Sequence, residues 1–436
     1  MQYRDVSGTI VSGASAKAVE AFDAAVESFH CYAGPAPQFL EAAIADSPDF
    51  VMAHVLKAWM NLVGAPPETQ ADGLSAYQAA LQLDGNDRER GHVAALSALV
   101  GGEVQTASRI LEDVTIVHPR DALALHFGQL CDYFTGDARM MRDRIARALP
   151  HWSPSQPDYH AVLGLAAFGL EESGDYARAE AAGRQAVELN PRNGWAWHAV
   201  AHVMEMQDRR EDGIAFLRSD TRAWSEESFF QVHNWWHLGL FHLGLGQVQE
   251  VLNLWDGPIY GEPSRVMMDM IDAAAMLWRL NLAGVDVGAR WDRIADVYEA
   301  KAQFGRSAFD DAHAMMAFVS ANRREGVEAV LAAQKAALCG PGDNAEAVRV
   351  VGLPVIQGIQ AYGEGDWRRC VELLRDVRNR AYRFGGSNAQ RDLIDITLID
   401  AARRSGETSL ERALLAERAA AQPVVARESG AFSRAA

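Results

Sequence analysis

A chain of 436 residues, 49% hydrophobic and 23% charged, holds enough material for a large core and too much apolar content for long-range disorder. Its formal net charge of −17 argues against a nucleic-acid partner, because phosphate binding needs a surplus of Lys and Arg on some face and no dense basic run occurs. Cys31, Cys131, Cys339 and Cys370 lie far apart without C-x2-C spacing, which excludes a zinc ribbon or disulfide framework and reads as reduced, buried thiols.

The opening MQYRDVSGTIVSG lacks a basic segment followed by an apolar one, and no run of about 18 apolar residues follows anywhere. A cytoplasmic protein with no membrane contact is expected. Prolines then mark a period: Pro48, Pro119, Pro154 and Pro191 stand 71, 35 and 37 residues apart, with Asp84-Gly85 in the slot between the first two. Spacing in the mid-thirties is the signature of helix-turn-helix repeats of the tetratricopeptide type. Units read at FLEAAIADSPDFVMAHVLKAW and at ASRILEDVTIVHPRDALALHFGQLCDYFTGD, and best from Gly174 onward. There Gly174-Asp175 makes the turn, and Ala177, Ala181 and Gly183 allow close helix approach. Leu189-Asn190-Pro191 stops the helix and Asn193 caps the next.

The pattern returns weakly around Glu364-Gly365-Asp366-Trp367, and few stretches alternate with period two and carry β-branched enrichment, so strand content near zero is expected. The expected fold is all-α, a right-handed superhelix (α-solenoid) of antiparallel helix pairs. It runs as one continuous array over residues 1–420 with a concave inner surface. Residues 421–436, where periodicity is lost, read as a loosely ordered tail.

Two helical stretches carry histidines four residues apart. His198, His202 and Glu205 share one helix face at i, i+4 and i+7, and His233 and His237 repeat the arrangement on a following helix. Such a pair can hold one metal ion, with a ligand from a neighbouring helix completing the three-ligand pattern of catalytic zinc. His198, His202 and Glu205 are therefore the metal candidates, and a divalent metal such as zinc the candidate cofactor. Neither pair has the intervening Glu of an H-E-x-x-H motif, so two alternatives stay open: acid-base imidazoles held by carboxylates, and rings that fill helix contacts. Trp235 and Trp236 flank the second pair and can wall a pocket.

In FDDAHAMMAF, Asp310 and His313 are at i, i+3 with Asp311 beside them. A nearby carboxylate fixes an imidazole's tautomer, although the two Asp can equally serve the helix dipole of a first turn. In FGGSNAQRDLID, Gly385-Gly386 suits a helix stop and Ser387 with Gln390 a capping box. Asn388, Arg391 and Asp392 are left beside free backbone N–H groups that favour an anionic ligand. The single histidines His30, His54, His92, His118, His126, His151, His160 and His242 read as packing.

Together these stretches resemble the tetratricopeptide repeat protein 38 family, on HAVAHVMEM (198–206), HNWWHLGLFHLGLG (233–246), DAAAMLWRLNLAGVDVGARW (272–291), DDAHAMMA (310–317) and GGSNAQRD (385–392). The resemblance implies an all-helical tetratricopeptide-like fold and a shared polar set of His198, His202, His233, His237, Asp311, His313 and Arg391, without a reaction attached. Two functions compete. One is a hydrolase-type enzyme acting on a small anionic metabolite, with His233, His237, His313 and Asp311 catalytic and Asn388, Arg391, Asp392 and Trp236 binding substrate. The other is a non-catalytic scaffold holding a peptide or protein in its concave groove. An inner-helix text rich in His and Trp rather than Lys favours the first, and a homo-oligomer stays open.

Overall fold

Helix ends fall where the sequence places its breakers. In the computed structural model, which describes residues 3–65, 67–301 and 303–421, the Pro48, Asp84-Gly85, Pro119, Pro154 and Pro191 sites each lie in the connection between one helix hairpin and the next. A missing N–H or an unusual φ is harmless there. The expected tail beyond residue 421 lies outside the described residues. One departure opens the chain: Tyr3–Arg4 pairs antiparallel with Ile10–Val11. The other elements among the described residues are helices, and the chain is an all-α helical-repeat protein.

The described residues form two compact units. The first runs to Val200 and adds Asp220–Gln231, and the second takes Ala201–Ser219 and the described residues from Val232 onward. The first contains α1 (Ala16–Cys31), α2 (Ala36–Asp46), α3 (Val51–Leu62), α4 (Gln70–Gln82), α5 (Asp87–Val100), α6 (Val104–Val117), α7 (Ala122–Thr135), α8 (Ala138–Ala148), α9 (Tyr159–Glu172) and α10 (Tyr176–Leu189). The helix α11 (Gly194–Met206) begins in it and ends in the second. From α3 onward consecutive helices pair as hairpins.

The two helices of a hairpin differ in composition and burial. In α9 every residue after Tyr159 is buried, whereas α10 buries only Ala179, Gly183 and Ala186. Small residues set that close contact, since a Cβ on Gly183 would lie 2.5 Å from Cγ2 of Val200. What covers the other side of the first helices is α1. Its Phe22 ring meets Phe50, at the start of α3, at 5.0 Å, and Phe29 stacks on Phe127 of α7 at 4.9 Å. Glu27 reaches His160 of α9 at 3.3 Å, and Tyr32, just beyond α1, stacks on Trp195 of α11 at 5.9 Å. Within this unit, the face that a groove-binding peptide would use is filled by the chain's own helix.

After α12 (Arg210–Ser219) in the second unit and α13 (Thr221–Ser225) in the first, the second unit continues with α14 (Gln231–Gly244), α15 (Val248–Leu254), α16 (Met267–Leu282), α17 (Arg290–Lys301), α18 (Ala308–Ser320) and α19 (Arg324–Ala337). It closes with α20 (Asp343–Ala347), α21 (Leu353–Gly363), α22 (Trp367–Val377), α23 (Asn388–Arg404) and α24 (Thr408–Ala421). Here α23 plays the covering part. Trp278 of α16 donates to Thr397 Oγ1 at 2.9 Å, Arg279 donates to the Ala389 carbonyl at 2.7 Å, and Tyr362 of α21 donates to Asp400. The approach needs Gly386, at φ +77°, because a Cβ there would sit 2.4 Å from the Phe309 ring. Ser387 and Gln390 form the expected capping box at the start of α23.

Three cysteines are buried as expected, but Cys339 is exposed, because it falls in the turn beyond α19. A buried ion pair staples the first unit: Arg144 of α8 donates to Asp132 of α7 at 2.9 Å and to the Ser108 carbonyl of α6 at 3.1 Å. Arg144→Ala leaves Asp132 buried without its cation, and should lower unfolding free energy by about 3–5 kcal/mol. Adding Asp132→Ala should restore part of that loss. Urea denaturation of the single and double variants measures both.

Candidate functional site

The second unit gathers imidazoles from two helices against a charged pair on a third. His202 ends the histidine face of α11, and His233 and His237 stand one turn apart on α14. The His202 and His237 ring centroids are 4.6 Å apart and those of His233 and His237 4.9 Å. One ligand nitrogen from each of the three lies within 4.8 Å of the others, and all three side chains are buried.

The groups behind them decide their protonation. His233 Nδ1 faces both oxygens of Asp272 on α16, at 2.9 and 2.8 Å, so the proton sits on Nδ1 and Nε2 keeps its lone pair. Burial raises the Asp272 carboxyl above its ordinary range while His233 pulls it down. Burial first, then His202, His233 and Arg279, hold His237 well below an ordinary histidine, so it is neutral. Trp236 is fully buried, stacks on His233 at 5.2 Å, and has the Arg279 guanidinium 6.0 Å from its ring. Glu205, half-buried, has its carboxyl raised by desolvation against the pull of Arg279 and Arg210.

Other expected members have contacts of their own. His198 is one turn before His202 on α11, in the part belonging to the first unit, with Trp195, Phe230 and Phe168 at 4.9, 5.1 and 5.6 Å. Asp311 does not serve His313. Two residues apart on a helix they point to different faces, and Asp311 instead accepts from Gly305 N and Gln334 Nε2, both at 2.7 Å. Burial pushes its carboxyl up to about 7. Asp310 does not reach the ring either: its backbone N–H takes the Ser307 cap, and His313 Nδ1 donates to the Phe309 carbonyl at 2.8 Å.

That bond leaves His313 Nε2 as an acceptor, and among the described residues it has no hydrogen-bond partner. A cavity of about 20 Å³ lies beside the ring, lined in part by Phe309, Met316, Phe384, Arg391 and Thr397, which is room for one water.

The first turn of α23 holds its own charges. Arg391 folds back to donate to the Gly386 carbonyl and, at 2.7 Å, to Asn388 Oδ1. Asp392 accepts from Arg418 of α24 and, at 3.2 Å, from Arg279. Burial works against ionisation of Asp392, yet Arg418 and then Arg279 hold its carboxyl at about 2. Asp392 thus orders Arg279 and α24, a different part from the substrate contact expected of it.

Sequence reasoning missed Asp272 and Arg279. Their signal was two charges seven residues apart, on one face of the otherwise apolar DAAAMLWR.

The first unit holds a second cluster, with ligand atoms of Glu27, Cys31 and His160 within 4.8 Å. Its hydrogen bonds compete with a metal. Asn193 Oδ1 caps the Ala196 N–H at 3.0 Å, so its amide nitrogen must face His160 Nδ1 at 3.1 Å. The His160 proton is thereby placed on Nε2, toward Glu27 Oε2, and the lone pair that a metal needs is absent. Burial also raises the Cys31 thiol. His30, His126 and Tyr32 form a further buried chain, with Nδ1 to Nδ1 at 3.1 Å and Tyr32 OH to His126 Nε2 at 2.6 Å.

No protein-family model matches this chain. It is similar to a solved structure titled as the TPR domain of P58(IPK), with 14% identity over 73% of this chain and 88% of that one, at a TM-score of 0.22. At that score the likeness carries no argument, and the helical-repeat assignment rests on the hairpins described above. Among the described residues no helix is long and apolar enough to cross a membrane.

His313 supplies a pH test. Burial lowers it from 6.5 to about 4. Between those values the unfolded imidazole binds a proton that the folded one refuses, so its contribution to stability is full above pH 6.5 and is lost as pH falls toward 4. From pH 6.5 to 4 the wild type should lose up to about 3 kcal/mol more unfolding free energy than His313→Leu. Denaturant titrations across that range give the two slopes.

Proposed function

We propose that this helical-repeat protein is a small-molecule enzyme of hydrolase type, with its site in the second unit centred on His233 and Asp272. The observation that carries the proposal is the buried Asp272–His233 pair, with its proton fixed on Nδ1. In that tautomer His233 Nε2 takes a proton from water as it attacks, and returns it to the leaving group. Asp272 stabilises the imidazolium formed between those steps, and the neutral His237 adds a second imidazole within reach of the same space. Arg279 lends positive field to an anionic substrate while its guanidinium is shared with Asp392 and the Ala389 carbonyl. His313 lines the neighbouring small cavity, and Asp311 has no part in the chemistry.

Membership of the tetratricopeptide repeat protein 38 family belongs to the same proposal. It is supported by HAVAHVMEM, HNWWHLGLFHLGLG and DAAAMLWR, three stretches that supply His202, His233, His237, Asp272 and Arg279. A cytoplasmic location is supported by four free cysteines.

A second reading is the helical scaffold with a protein or peptide partner. Leu81, Ile116, Val117 and Leu189 are exposed at or near the C-terminal ends of α4, α6 and α10, an apolar position shared by three of the hairpins. In the first unit α1 covers the inner face, so such a partner would meet this outer rim.

Hydrolysis assays over ester, amide and phosphoester panels, run beside thermal shifts with the same compounds, separate the readings. The enzyme reading expects a hit in the wild type, and a fall of 10²-fold or more in turnover for Asp272→Asn with the fold intact. Turnover by none of the panel, or equal turnover in wild type and variant, contradicts it and leaves the scaffold.

A further inference from the structure

Beyond an acid-base pair, the second unit brings together three imidazoles, His202, His233 and His237, from two helices. Imidazole nitrogens gathered from neighbouring helices are a donor set that suits a transition-metal cation.

We propose that His202, His233 and His237 form a binding site for one zinc-class divalent transition metal, with Asp272 as the outer carboxylate that orients His233. Zinc–nitrogen bonds of about 2.0–2.1 Å in tetrahedral geometry place ligand nitrogens about 3.4 Å apart. The three nitrogens lie within 4.8 Å of one another, near that spacing.

The outer shell is built for it. Asp272 takes the Nδ1 proton of His233 at 2.8 Å, the carboxylate–histidine–metal arrangement that fixes ring orientation and raises ligand basicity. Trp236, stacked on His233, holds the ring plane. The donor chemistry selects the metal: three neutral nitrogens suit zinc, copper, nickel or cobalt and offer nothing to magnesium or calcium, which require oxygen ligands.

The ligand set differs from the His198, His202 and Glu205 expected on one helix, since it takes His202 from α11 and two partners from α14. The cluster of Glu27, Cys31 and His160 is the internal contrast, because there Asn193 forces the opposite tautomer.

The inference rests on the same residues as the proposed hydrolase, and His233 Nε2 can serve as base only in the metal-free protein and as ligand only in the loaded one. Turnover is therefore read on the chelated protein and zinc uptake on the loaded one: absent turnover overturns only the enzyme reading, and absent uptake only this one.

The test uses the full chain, stripped with chelator, dialysed against zinc and passed through a desalting column before metal analysis. The site predicts about one zinc per chain, a higher melting temperature for the zinc-loaded form, and loss of both in His202→Ala and His237→Ala. Asp272→Asn should weaken binding by 10–100-fold, and His313→Ala should bind as wild type does. Cobalt(II) in the unmutated protein gives a reading that no folding defect can imitate: visible absorption of a tetrahedral, nitrogen-rich site, displaced by one equivalent of zinc. Stoichiometry well below one, zinc retained by both histidine variants, or cobalt with only the spectrum of its hexaaquo ion would overturn the site.

Discussion

The covering of the inner helices on both sides is the constraint on which the rest of this protein depends. In an open helical repeat, the first helix of each hairpin shows one face to solvent and can carry polar residues freely. Here α1 lies along the first helices of the first unit, and α23 lies against α16, α18 and α21 in the second. Helices such as α9 and α16 are therefore apolar almost all round. Any polar side chain on them must find a partner inside the protein or be destabilising by several kcal/mol.

That requirement explains why the polar residues come in ordered sets. Asp272 orients His233, Asp392 holds Arg279 and Arg418, Asp132 holds Arg144, and Asp121 accepts from His92 and Arg88. The two clusters rich in metal-ligand residue types look alike in composition and differ in proton placement. Asn193, committed to a helix cap, forces the proton of His160 onto the nitrogen that faces the cluster. Asp272 holds the proton of His233 on Nδ1 and leaves the lone pair on Nε2. Residue type alone could not separate them; the hydrogen bond on the other side of each ring does.

The hairpins were legible in the sequence because breakers act locally. Pro48, Pro119 and Pro191 end helices wherever the chain carries them, and Ser387 with Gln390 caps α23 through neighbours three residues apart. The pairing of His202 with His237 was half legible: each histidine face follows from helix periodicity, but their convergence depends on how α11 and α14 pack. The partners of Asp311 and Arg391 were not legible: Gln334, on α19, is set by tertiary packing, and the bond of Arg391 to the Gly386 carbonyl by the local turn before α23. Asp272 and Arg279 went unread although two charges in an apolar helix are a usable signal, since a charge placed there must be paired. The covering helix α1 left no signal, because its amphipathic pattern is the same whichever face of the repeat it meets.

Anomalous diffraction tests the central claim most directly. Crystals grown from zinc-loaded protein, with data collected on both sides of the zinc edge, should show one strong peak bonded to nitrogens of His202, His233 and His237, with Asp272 still on His233 Nδ1. A map with no peak among those three rings, or with the imidazoles turned away from one another, would contradict the account.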